Sequence, residues 1–141
     1  VAALLLGLAS WAGWRFLDDP FWCGLSGSET VAWAGFTVDD QVEVSEVSSD
    51  CWLDQSVYFT ISGTPAAVDE ILETSDFNGE FARGLDQVQA SLFDESAVAE
   101  LQPVESAAES VERSGDGWVS RQVVRGELGG ETVLLVAALG N

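Results

Sequence analysis

The stretch SVYFTISGTPAAVDEILE, from Ser56 to Glu73, constrains the fold more than any other part of the chain. Ser56 to Ser62 is a β-branched and aromatic run with both faces largely apolar, which predicts a strand in the middle of a sheet. Gly63 ends it, and Thr64-Pro65 supplies a helix cap followed by the Pro favoured at the first helical position. Val68, Ile71 and Leu72 then fall on one face at i, i+3 and i+4, while Asp69, Glu70 and Glu73 face water. A strand that runs directly into an amphipathic helix points to a mixed domain.

The C-terminal stretch WVSRQVVRGELGGETVLLVAAL adds a β-hairpin, with Gly129-Gly130 as its tight turn and Thr132 to Ala138 as an interior strand. Upstream, Val42 and Val44 alternate with Gln41, Glu43 and Ser45, predicting a short half-exposed strand. Glu46 and Val47 reverse that alternation, so the strand ends or bulges there. Thr30 to Val38 carries Gly35 and suits a short strand or an irregular segment. Between the clear elements, Phe81, Leu85, Val88 and Leu92 recur at helical spacing and predict a second helix from about Glu80 to Phe93. Asp94 can cap a third, carrying Val98 and Leu101 before Pro103. Pro103 to Arg113 is Ala-rich with weak periodicity, a helix or a solvated linker, and Ser114-Gly115-Asp116-Gly117 forms a turn.

Chain length bounds the rest. With 141 residues the chain fits one domain. The expected fold class is α+β: an N-terminal apolar helix, transmembrane in the first reading, followed by a small antiparallel sheet with the helices from Pro65 to Leu101 packed on one face.

The N-terminal segment VAALLLGLASWAGWRFL has no charge before Arg15. As a helix at 1.5 Å per residue it covers about 25 Å, slightly short of the roughly 30 Å of a hydrocarbon core. Arg15 can snorkel to headgroups, and Trp11 and Trp14 suit an interfacial aromatic belt, so these three are the candidate membrane-interface residues. The chain begins with Val and has no basic stretch before the apolar run, so a few further residues upstream would lengthen the span. Three readings stay open. The first is a retained anchor; the second is a signal peptide cleaved after Ala12, since Ser10 and Ala12 are small; the third is a buried helix covering the sheet. Residues 1–17 are therefore taken as anchor or signal, 18–30 as linker, and 31–141 as an acidic extracytoplasmic domain.

Charge narrows the function classes. There are 24 Asp plus Glu against 5 Lys plus Arg and no His, for a net charge of −19, in a chain that is 47% hydrophobic. High hydrophobicity excludes simple disorder, and the lack of basic clusters argues against nucleic-acid binding. Acids spread from Asp18 to Glu131 suit adaptation to a salty solvent, halophilic in character, better than a single binding face. Without His, no Ser-His or Cys-His pair exists, and the pair Asp39-Asp40 on a strand would point to opposite faces. The stretch Asp76-Phe77-Asn78-Gly79-Glu80 has the alternating oxygens of a calcium loop, but Thr74 and Leu85 occupy positions that such a loop gives to carboxylates. No cofactor, metal or small-molecule ligand is indicated, and no enzyme activity is expected.

Cys23 and Cys51, each beside a Trp, are the disulfide candidates. Joining them would close a loop of about 28 residues and contribute on the order of 3 kcal/mol in the chain-entropy picture. An even cysteine count behind an apolar leader favours an oxidising compartment. Trp22, Trp33, Trp52 and Trp118 are expected to complete the core rather than to form a binding surface. The expected partners are the lipid bilayer, through the N-terminal segment, and another protein. The expected function is a non-enzymatic membrane-anchored or secreted envelope domain; the alternative is an acidic inhibitor or immunity-type protein seated on a basic target.

Overall fold

A computed structural model of the chain describes residues 25–51, 54–113 and 117–140. The strands are β1 (Val42–Asp50), β2 (Ser56–Gly63), β3 (Ala82–Arg83), β4 (Glu105–Arg113), β5 (Gly117–Leu128) and β6 (Glu131–Gly140). They form one 6-stranded sheet in the order β1-β2-β6-β5-β4-β3, and every pairing is antiparallel. The helices are α1 (Gly27–Trp33), α2 (Pro65–Thr74) and α3 (Glu95–Ala99), with a 3₁₀ turn at Ala90–Leu92. The architecture is α+β, as the strand-to-helix stretch requires.

The apolar run of β6 takes a central position, hydrogen-bonded on both edges. Val136 lies opposite Phe59 of β2 and Val123 of β5. Gly129 and Gly130 make the β5–β6 turn with φ of 60° and 82°, the pair of positive values that the tightest hairpin turn demands. On β2, Val57, Phe59 and Ile61 are buried on one side, while Tyr58 and Thr60 are half-buried on the other.

The Val57 side carries the main core. Val31 and Phe36 from α1 and its exit, and Val68, Ile71 and Leu72 from α2, close over Ile61, Val123, Leu134 and Val136. Each such side chain, taken fully from water, contributes roughly 1.5–3 kcal/mol. The caps follow the sequence: Thr64 Oγ1 accepts from Ala67 N at 3.2 Å and Pro65 opens α2.

Several expectations are corrected. The stretch from Thr30 contributes to α1 rather than to a strand, because Ser26 Oγ accepts from Glu29 N and caps a helix that Gly35, at φ 79°, then ends. No helix runs from Glu80 to Phe93. Phe81 packs with the main core, whereas Leu85, Val88 and Phe93 pack on the opposite side of the sheet. The segment crosses from one face to the other at the sheet edge, which a straight helix with one apolar stripe cannot do. Pro103 to Arg113 yields β4 instead of a helix or linker, since Glu105 and Glu109 find arginines on β5 as their direct cross-strand neighbours. The helices do not share one face: α1 and α2 cover one side, and the segment from Leu85 through α3 covers the other.

The expected bulge is present. The β1–β2 register shifts between Ser45 and Ser48, and Glu46 there has φ 53°. Among the described residues no helix is long and apolar enough to cross a membrane. Trp11, Trp14, Arg15 and Cys23 lie outside the described residues. Cys51, just after β1, is disulfide-bonded.

Candidate binding groove

Two polar constellations stand out, one structural and one open to solvent. The first centres on Arg121, which is 2% exposed in the middle of β5. Both α1 and α2 end in the same way. Phe36 N donates to Val31 O and Gly35 N to Ala32 O; Phe77 N donates to Leu72 O and Asp76 N to Glu73 O. In each case a residue with positive φ, Gly35 or Asp76, reverses the chain and a Phe follows. The freed carbonyls converge on Arg121. Its Nη1 donates to Gly35 O at 3.1 Å and Ser75 O at 2.8 Å, and its Nη2 to Asp76 O at 2.9 Å and to the Glu109 carboxylate. The guanidinium also lies 5.4 Å and 5.6 Å from the ring centres of Phe36 and Phe77. One cation thus neutralises two helix C-termini and locks both onto the sheet.

Nearer the turn of the same hairpin, Arg125 bonds Glu105 at 2.7 Å and lies 3.9 Å over the ring of Phe81. The carboxylates around both arginines are thereby occupied with holding the fold. Asp39 and Asp40 do not converge either, because each accepts a hydrogen bond from Gln41 in the exposed turn before β1.

The second constellation lies on the other face. Leu101, Val124 and Val133 form a small core there, with Leu85, Val88, Phe93, Val104 and Leu135 packed around it. Gly126 allows the close approach: a Cβ at that position would sit 2.5 Å from Leu101 Cβ and 2.9 Å from Pro103 O. Gln102 N donates to Glu127 O, and Gln89 N to Gln122 Oε1 at 2.6 Å, pinning the segment at both ends.

This cover reaches only part of the sheet. Between α3 and the β1–β2 edge it leaves a groove of about 530 Å³, within the size range of small-ligand and peptide-anchor sites. Leu92, Phe93, Leu101, Val133 and Leu135 give it an apolar floor and wall, Tyr58 and Thr60 line its β2 side, and Glu46, Asp94 and Glu100 are its acids.

The bulge decides the place of Glu46. In an unbroken β1 it would share the side of Val42 and Val44, which pack against the main core. The register shift turns it instead to the groove. Asp94 acts locally by capping α3, with Oδ1 accepting from Ser96 N, Ser96 Oγ and Ala97 N. The Ser96 hydroxyl first, then the backbone N–H groups of Ala97 and Ser96, hold its carboxyl below the ordinary 3.8, so it is ionised near neutrality. The side chains of Glu46 and Glu100 make no hydrogen bond or ion pair among the described residues. Among those residues no group of three metal-ligating side chains is assembled.

Compared with protein-family models, curated proteins and solved structures, the chain matches none.

The expected role of the tryptophans holds only in part. Trp33 packs on the main core, but Trp118 is 51% exposed on β5, so it does not complete that core. Nothing local in the sequence marks the groove itself. Its acids and apolar residues come from β1, β2, β6 and the α3 segment, and no sequence spacing links them.

Proposed function

We propose that the chain is a non-enzymatic extracytoplasmic protein, anchored in or secreted across a membrane by its apolar N-terminal segment, that works through protein interaction at the envelope. The observation that carries this reading is the disulfide-bonded state of Cys51, which suits an oxidising compartment. The remaining cysteine, Cys23, lies in the linker a short way beyond the apolar leader and is the proposed partner. A bridge there would staple the leader's exit to the end of β1, beside the lipid surface.

Charge placement supports a solvent-facing role. Every acid among the described residues is exposed except Glu105 and Glu109, which are half-buried against Arg125 and Arg121. The exposed acids occupy β1, α2, α3, β4 and the β5–β6 turn, a spread that favours adaptation to a salty medium over an inhibitor with one acidic face.

Membrane fractionation of the expressed full chain, with N-terminal sequencing and mass measurement before and after reduction, tests the proposal. Retention in the membrane after a salt wash is expected for an anchor, and a mature start at Gly13 for a cleaved signal. A soluble chain with an intact N-terminus, or two free thiols in the unreduced protein, would overturn it.

A further inference from the structure

We infer that the groove between α3 and the β1–β2 edge is the protein-interaction site, and that its occupant is an amphipathic segment with an apolar face flanked by Lys or Arg. The inference rests on the interaction role proposed above. Its starting point is the asymmetry of the layers. Among the described residues one face of the sheet is closed by α1 and α2, whereas the other is closed only from β4 to β6, leaving Tyr58 and Thr60 of β2 beside an apolar floor of Val133 and Leu135. A segment laid against α3 would complete the second layer by the burial that drives helix-in-groove recognition.

Charge complementarity selects the occupant. Among the described residues the groove is lined by three carboxylates, Glu46, Asp94 and Glu100, and by no cation. A segment with acidic flanks would be repelled, and a wholly apolar one would leave the rim carboxylates without a counterpart.

Glu46 gives this a second footing. Its left-handed backbone, φ 53°, is uncommon for a side chain of this kind, and Gly would hold it without strain. The bulge that imposes this conformation is also what moves the carboxylate from the core side to the groove. Strain that is retained where it aims a charge at a groove is the pattern of a binding position.

The test uses the full chain as expressed, in zwitterionic nanodiscs with empty discs as reference if fractionation shows it anchored and in buffer if it does not, and a synthetic peptide of Leu and Lys arranged as an amphipathic helix. Oligolysine of equal charge and a Leu–Glu peptide serve as comparisons. Calorimetry in about 1 M NaCl, where the Debye length is about 3 Å, suppresses general attraction to a polyanion. The Leu–Lys peptide is expected to bind there and to shift the side-chain NMR signals of Tyr58, Thr60 and Leu135, while oligolysine does not bind; in low salt the Leu–Glu peptide is expected to bind at least about tenfold more weakly than the Leu–Lys peptide. Thr60→Arg, which fills the groove and adds a cation, is expected to weaken binding by about tenfold or more. Glu46→Gly relieves the backbone strain and so folds at least as well, yet is expected to weaken binding in low salt. Reversing two acids on the opposite face, Glu70→Lys with Glu73→Lys, is expected to leave the affinity within about twofold.

Equal binding of oligolysine in high salt, signal shifts centred elsewhere on the sheet, or equal loss from the α2 reversal would overturn the groove assignment. No binding of the Leu–Lys peptide would also overturn it. None of these outcomes depends on whether the N-terminal segment is an anchor, which fractionation decides separately.

Discussion

Substitution of Arg121 by Met, of Glu109 by Gln, and of both together measures how far one buried cation holds the two helices to the sheet. Arg121→Met deprives Gly35 O, Ser75 O and Asp76 O of their donor and leaves Glu109, 11% exposed, without its cation. Hydrogen bonds to a charged group contribute about 1.5–3 kcal/mol each, but Gly35 and Asp76 sit where water can replace the lost donor. Counting Ser75 O and the stranded carboxylate in full and the other two in part gives a loss of about 3–5 kcal/mol.

Glu109→Gln leaves one acceptor oxygen where the carboxylate serves two donors, Arg121 Nη2 and Asn78 N at 2.7 Å, and strips the countercharge from a guanidinium whose side chain is 3% exposed. Its expected cost is about 3 kcal/mol, toward the lower end for breaking a buried pair because the carbonyls still solvate the cation. The double variant should lose less than the sum, with a coupling of about 2 kcal/mol. Urea denaturation of the oxidised protein, read as midpoint and slope, supplies the cycle, and the matching fall in Tm for a single variant is roughly 10–15 °C. Additive losses, or a cost for Arg121→Met below about 1 kcal/mol, would refute the view that this arginine holds both helix ends.

Gly126→Ala would press a Cβ into Leu101 and Pro103 O, and the expected loss is about 1–3 kcal/mol in chemical denaturation, with increased hydrogen exchange from Leu101 to Val104. Glu46→Gly should raise stability by roughly 1 kcal/mol, the cost of a left-handed backbone at a residue with a Cβ, measured by the same denaturation. Added NaCl should raise Tm steeply up to about 0.15 M, where the Debye length reaches about 8 Å, and more gently beyond it, as the repulsion behind a net charge of −19 is screened. A Tm that is flat or falls with salt would contradict that account. Because Asp94 has a folded pKa below its ordinary 3.8, its contribution to stability is present in full above that value and is lost as pH falls through the lower folded one. Asp94→Asn retains a capping oxygen and should therefore flatten this part of the acid limb, seen as a smaller drop in Tm below about pH 4.

Elements whose signals are local can be read from residue order without any fold. The apolar run of Ser56 to Ser62, the Thr64-Pro65 start of α2, the Asp94 cap and the Gly129-Gly130 turn need only their own neighbours, and each stands in the structure where residue chemistry puts it. The break at Glu46 was legible for the same reason, since a bulge disturbs the alternation of the strand that contains it. The remaining features depend on residues far apart in the chain and exist only once the sheet has formed. Ala107 and Ala108 carry helix propensity, yet β4 forms because Arg121 and Arg125 stand opposite Glu109 and Glu105. Phe81 and Leu85 share a helical spacing but end on opposite faces of the sheet, because the chain crosses its edge between them. The groove has the same origin: Glu46, Tyr58, Phe93, Glu100 and Leu135 meet only once six strands are in order, and no local periodicity records a neighbour that the sheet brings in from elsewhere.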